Sequence, residues 1–324
     1  NLRDAPRCSL PSRAMNTQAA SLDVTFYGVR GSTPCSCESN QRYGGNTSCV
    51  VVDLPDSDPI IFDLGTGLRY YGQQLADSRR PFHGTALVSH LHWDHVQGLP
   101  FFAPINQVGA RLEVYGPPED GCSLEAAFDQ FMAPPFFPIG FRDLAGDIIF
   151  HDVNEASFAV GAAMVTALPV PHIGATNGYR LEVPSASAPA GSLCVVYISD
   201  HQQPRNDGQS VDPAVLALAA GADLLIHDAQ FTPEEFADRT HWGHCTVDYA
   251  LEVAHQAGVK ELVLFHHDPA HDDEKIDAML IDAQKKAESL NIEKVSAAWE
   301  SRVSSFPLEA PDSIIKEATA LSAN

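Results

Sequence analysis

Ser89-His90-Leu91-His92-Trp93-Asp94-His95 packs four potential metal ligands into six positions, between the apolar run 85–89 and a Gly98-Leu99-Pro100 turn. In an extended segment alternate side chains project the same way, so His90 and His92 can grip one cation together. The chain then turns, and Asp94 with His95 can face a second cation beside the first. Imidazole and carboxylate suit Zn2+ first and Mn2+ second, while no thiolate is offered here. The rival reading is a polar, His-rich surface loop. Two His at this spacing would leave that rival ahead; four ligands at the end of an apolar strand do not.

Working outward, the same placement recurs. His172 follows the β-rich run 162–169, Asp200 follows 193–199, and His266 follows 261–265. A lone His after a strand is more often a hydrogen-bonded residue than a ligand. Three such residues repeat the position where open α/β sheets put their chemistry. They also complete the count for two cations with a water position left open. His90, His92 and His172 then hold the first metal, Asp94, His95 and His266 the second, and Asp200 bridges them.

The remaining pattern gives strands at 22–29, 47–54, 59–63, 111–115, 178–183 and 223–227, and helices at 68–76, 123–132, 213–220, 247–257 and 272–289. Residues 185–192 read as a hairpin loop rather than a domain boundary. The class is α/β, with sheets covered by helices. Residues 1–20 lack periodicity and an apolar signal-peptide core, so they read as a tail. Residues 21–324 read as one domain.

The chain carries 42 acidic against 20 basic residues, a formal net charge of -22. Such a surface repels long nucleic acid and anionic membrane. No apolar run reaches the ~18 residues of a membrane helix. Seven Cys form no even framework, which points to reduced thiols and a cytoplasmic protein. A homodimer stays open.

His-x-His-x-Asp-His with downstream His, Asp and His resembles the metallo-β-lactamase superfamily, from about residue 22 to about 269. Further segments resemble its ribonuclease Z-like and cyclic-phosphodiesterase branch. Phe26-Tyr27-Gly28-Val29-Arg30-Gly31-Ser32 is similar to the first-strand glycine loop. Gly45-Asn46-Thr47-Ser48 is similar to the step into the second strand, and Ile61-Phe62-Asp63-Leu64-Gly65 to the Phe-Asp-x-Gly turn, with Asp63 as a supporting acid. Leu225-Ile226-His227-Asp228-Ala229 resembles a His-Glu-Ala-Thr segment with Asp228 in place of Glu. Gly243-His244-Cys245-Thr246 resembles the His-x-Thr element that carries a catalytic His. The resemblance implies a four-layer αββα sandwich with two divalent metals at one edge.

It also implies hydrolysis of a phosphodiester by a hydroxide shared between the two metals, its pKa lowered to near ~7. Asp94 or Asp200 would orient that hydroxide and take its proton. His244, steadied by Asp228, would bond a phosphoryl oxygen or protonate the leaving alkoxide; its rival role is to cap the helix that starts near Thr246. Ribonuclease Z proper carries a tRNA-clasping arm between the ligands matching His172 and Asp200. Only 28 positions separate them here (200 − 172), most of it two strands and a loop. This disfavours tRNA 3′ processing and favours a small or cyclic phosphodiester. A lactonase, β-lactamase or thioesterase with the same metals, and a non-enzymatic member binding a phosphorylated metabolite, are the alternatives. Arg30 is expected either to meet a substrate phosphate or to pair with Asp63. Cys35 and Cys37 are read as reduced thiols, with a structural zinc as the alternative. His241, His255, His267 and His271 receive no role.

Overall fold

The computed structural model describes residues 20–78, 80–205 and 210–309. The predicted tail therefore lies, except for Ala20, outside the described residues. Fourteen strands are described: β1 (Ser21–Gly28), β2 (Cys49–Asp53), β3 (Ile60–Phe62), β4 (His83–Leu87), β5 (Arg111–Gly116), β6 (Asp147–Asp152), β7 (Ala156–Val160), β8 (Ala163–Pro169), β9 (Asn177–Pro184), β10 (Ser192–Ile198), β11 (Leu224–Asp228), β12 (Glu261–Phe265), β13 (Lys294–Ala297) and β14 (Val303–Pro307). They form two seven-stranded sheets, ordered β14-β1-β2-β3-β4-β5-β6 and β13-β12-β11-β10-β9-β8-β7.

Side-chain alternation decides how the sheets stack. In β1 and β2, Leu22, Val24, Phe26, Val50 and Val52 turn to the core shared by both sheets, while Tyr27, Cys49 and Val51 turn outward. In β12, Val263 and Phe265 face that same core, and Leu262 and Leu264 face away. Strands apolar on both faces need cover on both. Helices α1 (Leu68–Gln74), α2 (Trp93–Val96) and α3 (Leu124–Phe131) accompany the outer face of the first sheet. On the second sheet, α4 (Pro213–Ala219), α6 (Val247–Ala257) and α7 (Asp273–Leu290) do so, with α5 (Pro233–Arg239) in the connection that precedes α6. The result is the αββα sandwich.

Parallel pairing lines up the ends that matter. β10 runs parallel to β11 and β11 to β12, with Ile198 opposite His227 and Asp228 opposite Phe265. Asp228, the last residue of β11, and Asp200 and His266, just past β10 and β12, thus emerge side by side. Every expected strand and helix is present, with ends shifted by at most two residues. The pattern did not reveal β6, β7, β13, β14, α2 or α5. Among the described residues no helix is long and apolar enough to cross a membrane.

Candidate metal centre

All seven expected ligands converge on one edge of the sandwich. His90, His92 and His172 bring one ligand atom each within 4.8 Å of one another, and so do Asp94, His95 and His266. Asp200 lies between the two groups. Its Oδ1 is 3.2 Å from His95 Nε2, and its Oδ2 is 3.9, 3.7 and 3.5 Å from Nε2 of His90, His172 and His266.

Four of the five histidines have their Nδ1 engaged elsewhere, which aims Nε2 inward. His90 Nδ1 meets Ser89 Oγ at 3.0 Å, and His95 Nδ1 meets Asp63 Oδ2 at 2.7 Å. His172 Nδ1 donates to the Gly243 carbonyl at 2.6 Å, and His266 Nδ1 to Gln230 Oε1 at 2.9 Å. Such partners fix the tautomer and orientation that a metal-binding imidazole needs. His92 instead presents Nδ1, 2.8 Å from His90 Nε2. Two ring nitrogens at that distance need a proton or a cation between them. His95 Nε2 and Asp200 Oδ1 are buried and lack any hydrogen-bond partner despite their closeness. Buried polar atoms are rarely left so, and a shared cation accounts for both. The donor set fits a pair of divalent cations.

Backbone geometry delivers these side chains at a cost. Asp63 and His266 adopt left-handed φ values of 58°, which residues other than glycine seldom take. Gly31 has no room for a side chain: a Cβ there would lie 2.3 Å from the His266 ring. Gly243, at φ 93°, would set a Cβ 2.6 Å from the His172 ring.

Charge in the ring is partitioned. Burial pushes the His90 pKa well below its ordinary value and lowers that of His92, while His172 falls to about 4 for the same reason. Burial also opposes charge on His95 and His266, but the carboxylates around them outweigh it and both are raised. Asp94 and Asp200 are held well below the usual carboxylate range: burial opposes this, and the neighbouring histidines overcome it. Asp94 Oδ2 also accepts from Ser32 N at 2.7 Å.

His244 and Asp228 stand beside the ring. His244 Nδ1 is 3.0 Å from Asp228 Oδ2 and 3.6 Å from Asp200 Oδ2, and its ring stacks on His266 at 4.9 Å. Among the described residues no hydrogen bond engages its Nε2. Distance alone would let His244 join a metal group, but the nitrogen it turns toward Asp200 is Nδ1, and Asp228 holds that atom. The capping alternative fails, since Thr246 caps α6 by accepting from Tyr249 N.

Both expectations for Arg30 are corrected. Its side chain is fully buried, and its guanidinium donates to the carbonyls of Gly44, Asp268 and His271. Asp63 instead accepts from Ser89 and Tyr197 as well as His95. Cys35 and Cys37 contact Asn40 and Ser39 and belong to no metal-competent group among the described residues. His241 and His255 are exposed, whereas His267 and His271 are buried structural residues bonded to the Ala298 carbonyl and to Glu235. Gln230 and the Gly243 carbonyl, which orient two of the histidines, were not anticipated.

A two-sheet sandwich with this ring of His and Asp on one edge defines a metal-dependent hydrolase. Residues 60–267 match the family model described as the beta-lactamase superfamily domain, so the chain belongs to the metallo-β-lactamase superfamily, in its ribonuclease Z-like branch. A ribonuclease Z of Brevibacillus brevis is 29% identical over 269 aligned positions, covering 71% of this chain and 82% of that protein. Among solved structures, the metallo-beta-lactamase fold protein YhfI from Bacillus subtilis superposes with a TM-score of 0.63 at 19% identity, covering 89% of this chain and 100% of that one. A diphosphatase from the PhnP family gives 0.62 at 18%, covering 90% and 100%. These last two share the fold.

Proposed function

We propose that this chain is a dinuclear metal-dependent phosphodiesterase acting on small or cyclic phosphodiesters. The observation that carries the reading is the Asp228–His244 pair, 3.0 Å apart and directly beside Asp200. A hydrolase of lactones or lactams has no need of a second, carboxylate-held imidazole there. Divalent cations at the two ligand groups would lower the pKa of an attacking water and offer positive charge to phosphoryl oxygens. Zn2+ suits the five imidazoles and two carboxylates best, with Mn2+ next. Asp228 holds His244 so that Nε2 can donate to a phosphoryl oxygen or to the departing alkoxide. Asp94 or Asp200, both kept ionised by the neighbouring histidines, would orient the attacking water and receive its proton.

The hairpin between His172 and Asp200 supports a small substrate. Ser192 pairs with Pro184, so only a short turn joins β9 to β10 and no arm projects from it. The alignment to the Brevibacillus protein is longer than the part of this chain it covers, so that relative carries residues missing here. A net charge of -22 adds long-range repulsion of polynucleotides.

The test is kcat/KM on bis(p-nitrophenyl) phosphate, a cyclic nucleotide, precursor tRNA, a chromogenic lactam and a lactone, with Zn2+ and Mn2+ supplied separately. Turnover of the small diesters with only mild salt dependence is expected, because screening weakens distant repulsion but not direct contacts. Cleavage of precursor tRNA at comparable efficiency, or preference for the lactam or lactone, would overturn the reading.

A further inference from the structure

The metal-binding loop has a second face. His90, His92 and Asp94 turn to the ring, while Leu91 and Trp93, the residues between them, line a cavity of about 510 Å³. Phe101, Phe128, Phe131 and Phe137 supply much of the remaining wall. Among the described residues no charged side chain lines it, although the chain as a whole is strongly acidic. Its polar side chains are the Trp93 indole and the carboxamides of Gln97 and Gln130. Small-ligand sites have this character: roughly 300–1,000 Å³, mostly apolar, with a few polar groups that set orientation.

Two features connect the cavity to the candidate centre. Consecutive Cα atoms are ~3.8 Å apart, so the wall residue Trp93 adjoins both His92 and Asp94. Trp93 is also 71% exposed and Phe101 61% exposed, so these rings stand at an open mouth instead of being packed away. His92, the most accessible of the ligand histidines, lies in the chain between the two wall residues Leu91 and Trp93.

We infer that this cavity is the subsite for a neutral aromatic substituent of the phosphodiester, an inference that rests on the phosphodiesterase reading. Ring faces of Trp and Phe stack on a flat substituent. The glutamine carboxamides, each both donor and acceptor, can meet polar atoms on the edge of a heteroaromatic ring. A second phosphate or a carboxylate would find no countercharge there. The diester thus places its anionic phosphoryl group at the metal ring and its aromatic group against Trp93 and Phe101.

The test compares two diesters with the same leaving group, bis(p-nitrophenyl) phosphate and methyl p-nitrophenyl phosphate. Ala127, half-buried in the cavity wall on α3, is changed to Phe to fill the space. Phe101→Ala, at an exposed position, guards against a folding failure of the first variant. The ratio of kcat/KM for the aryl over the methyl diester should fall about tenfold in each, the usual worth of a lost apolar contact. Binding of the neutral fluorescent probe N-phenyl-1-naphthylamine to chelator-treated protein should weaken about tenfold in Ala127→Phe. A ratio unchanged in both variants overturns the inference. So does a dimer that dissociates on Phe101→Ala, with the probe binding only the monomer, because the cavity would then belong to self-association. Probe binding lost in Ala127→Phe, in a metal-loaded chain that hydrolyses neither diester, would support an aromatic site and sink the phosphodiesterase reading alone.

Discussion

Asp63 Oδ2 accepts from His95 Nδ1 at 2.7 Å, with both side chains wholly buried. The same oxygen accepts from Tyr197 Oη at 2.7 Å and Ser89 Oγ at 2.8 Å. One carboxylate therefore fixes a proposed ligand of the second metal, the strand end that leads into the motif, and a residue of the opposite sheet. Asp63→Asn keeps the shape but replaces a charged acceptor by an amide that can also donate. Partners of this kind are worth about 10–100-fold in metal affinity. Competition titration with a chromogenic chelator should show a loss in that range, and unchanged affinity would reduce Asp63 to a turn residue.

Asp200 lies between the two ligand groups. Its two oxygens lie within 4 Å of Nε2 of His90, His95, His172 and His266. Wild-type protein should carry close to two equivalents of transition metal, as read by elemental analysis, and Asp200→Ala should lose most of both. The loss should exceed that of His92→Ala, since His92 lies in only one of the metal-competent groups. Full metal content in Asp200→Ala would remove the bridging role.

His244 separates chemistry from binding. Because Asp228 occupies its Nδ1, His244→Ala should retain its metals and lose about 10²-fold in kcat, the usual scale for a lost acid or oxyanion donor. Asp228→Asn should give a smaller loss of the same kind. Metal analysis beside steady-state kinetics on bis(p-nitrophenyl) phosphate decides it: a metal-replete His244→Ala enzyme of full activity would dismiss the role.

The ring was legible in the sequence because His90, His172, Asp200 and His266 each follow closely on an apolar strand, and because His92, Asp94 and His95 sit in the same short segment as His90. What orients the ring was less legible. His172 is held by a backbone carbonyl 71 residues away and His266 by a glutamine 36 residues away, and neither contact leaves a local pattern. Arg30 was misread for a related reason: its partners are carbonyls as far off as His271, which carry no residue-type signal. The missed strands β6 and β7 are sheet edges with much of their surface half-exposed, so they lack the clean alternation that betrays a half-buried strand. Helix α5 did carry a signal, Thr232-Pro233-Glu234-Glu235, which forms a capping box with Pro at its start.

That capping box also sets an acid limit on stability. Burial raises the Glu235 pKa, but the Thr232 N–H at 2.8 Å and His271 at 2.9 Å outweigh it and bring it to about 2. A carboxylate whose folded pKa is depressed stabilises the fold above its unfolded pKa, and that contribution drains away as pH falls through the folded value. The window therefore runs from the ordinary 4.5 down to about 2. Full conversion of the shift would give about 3 kcal/mol; the side chain is one-quarter exposed, and screening reduces the expectation to about 1–2 kcal/mol. Glu235→Gln preserves an acceptor for Thr232 N–H but removes the charge. Urea unfolding of both proteins, each treated with chelator so that metal loss is not a variable, should find wild type more stable by that amount at pH 6. The gap should narrow steadily to pH 3. A gap that holds constant across this range would assign Glu235 a hydrogen-bonding role alone, with no electrostatic share in seating α5 against His271.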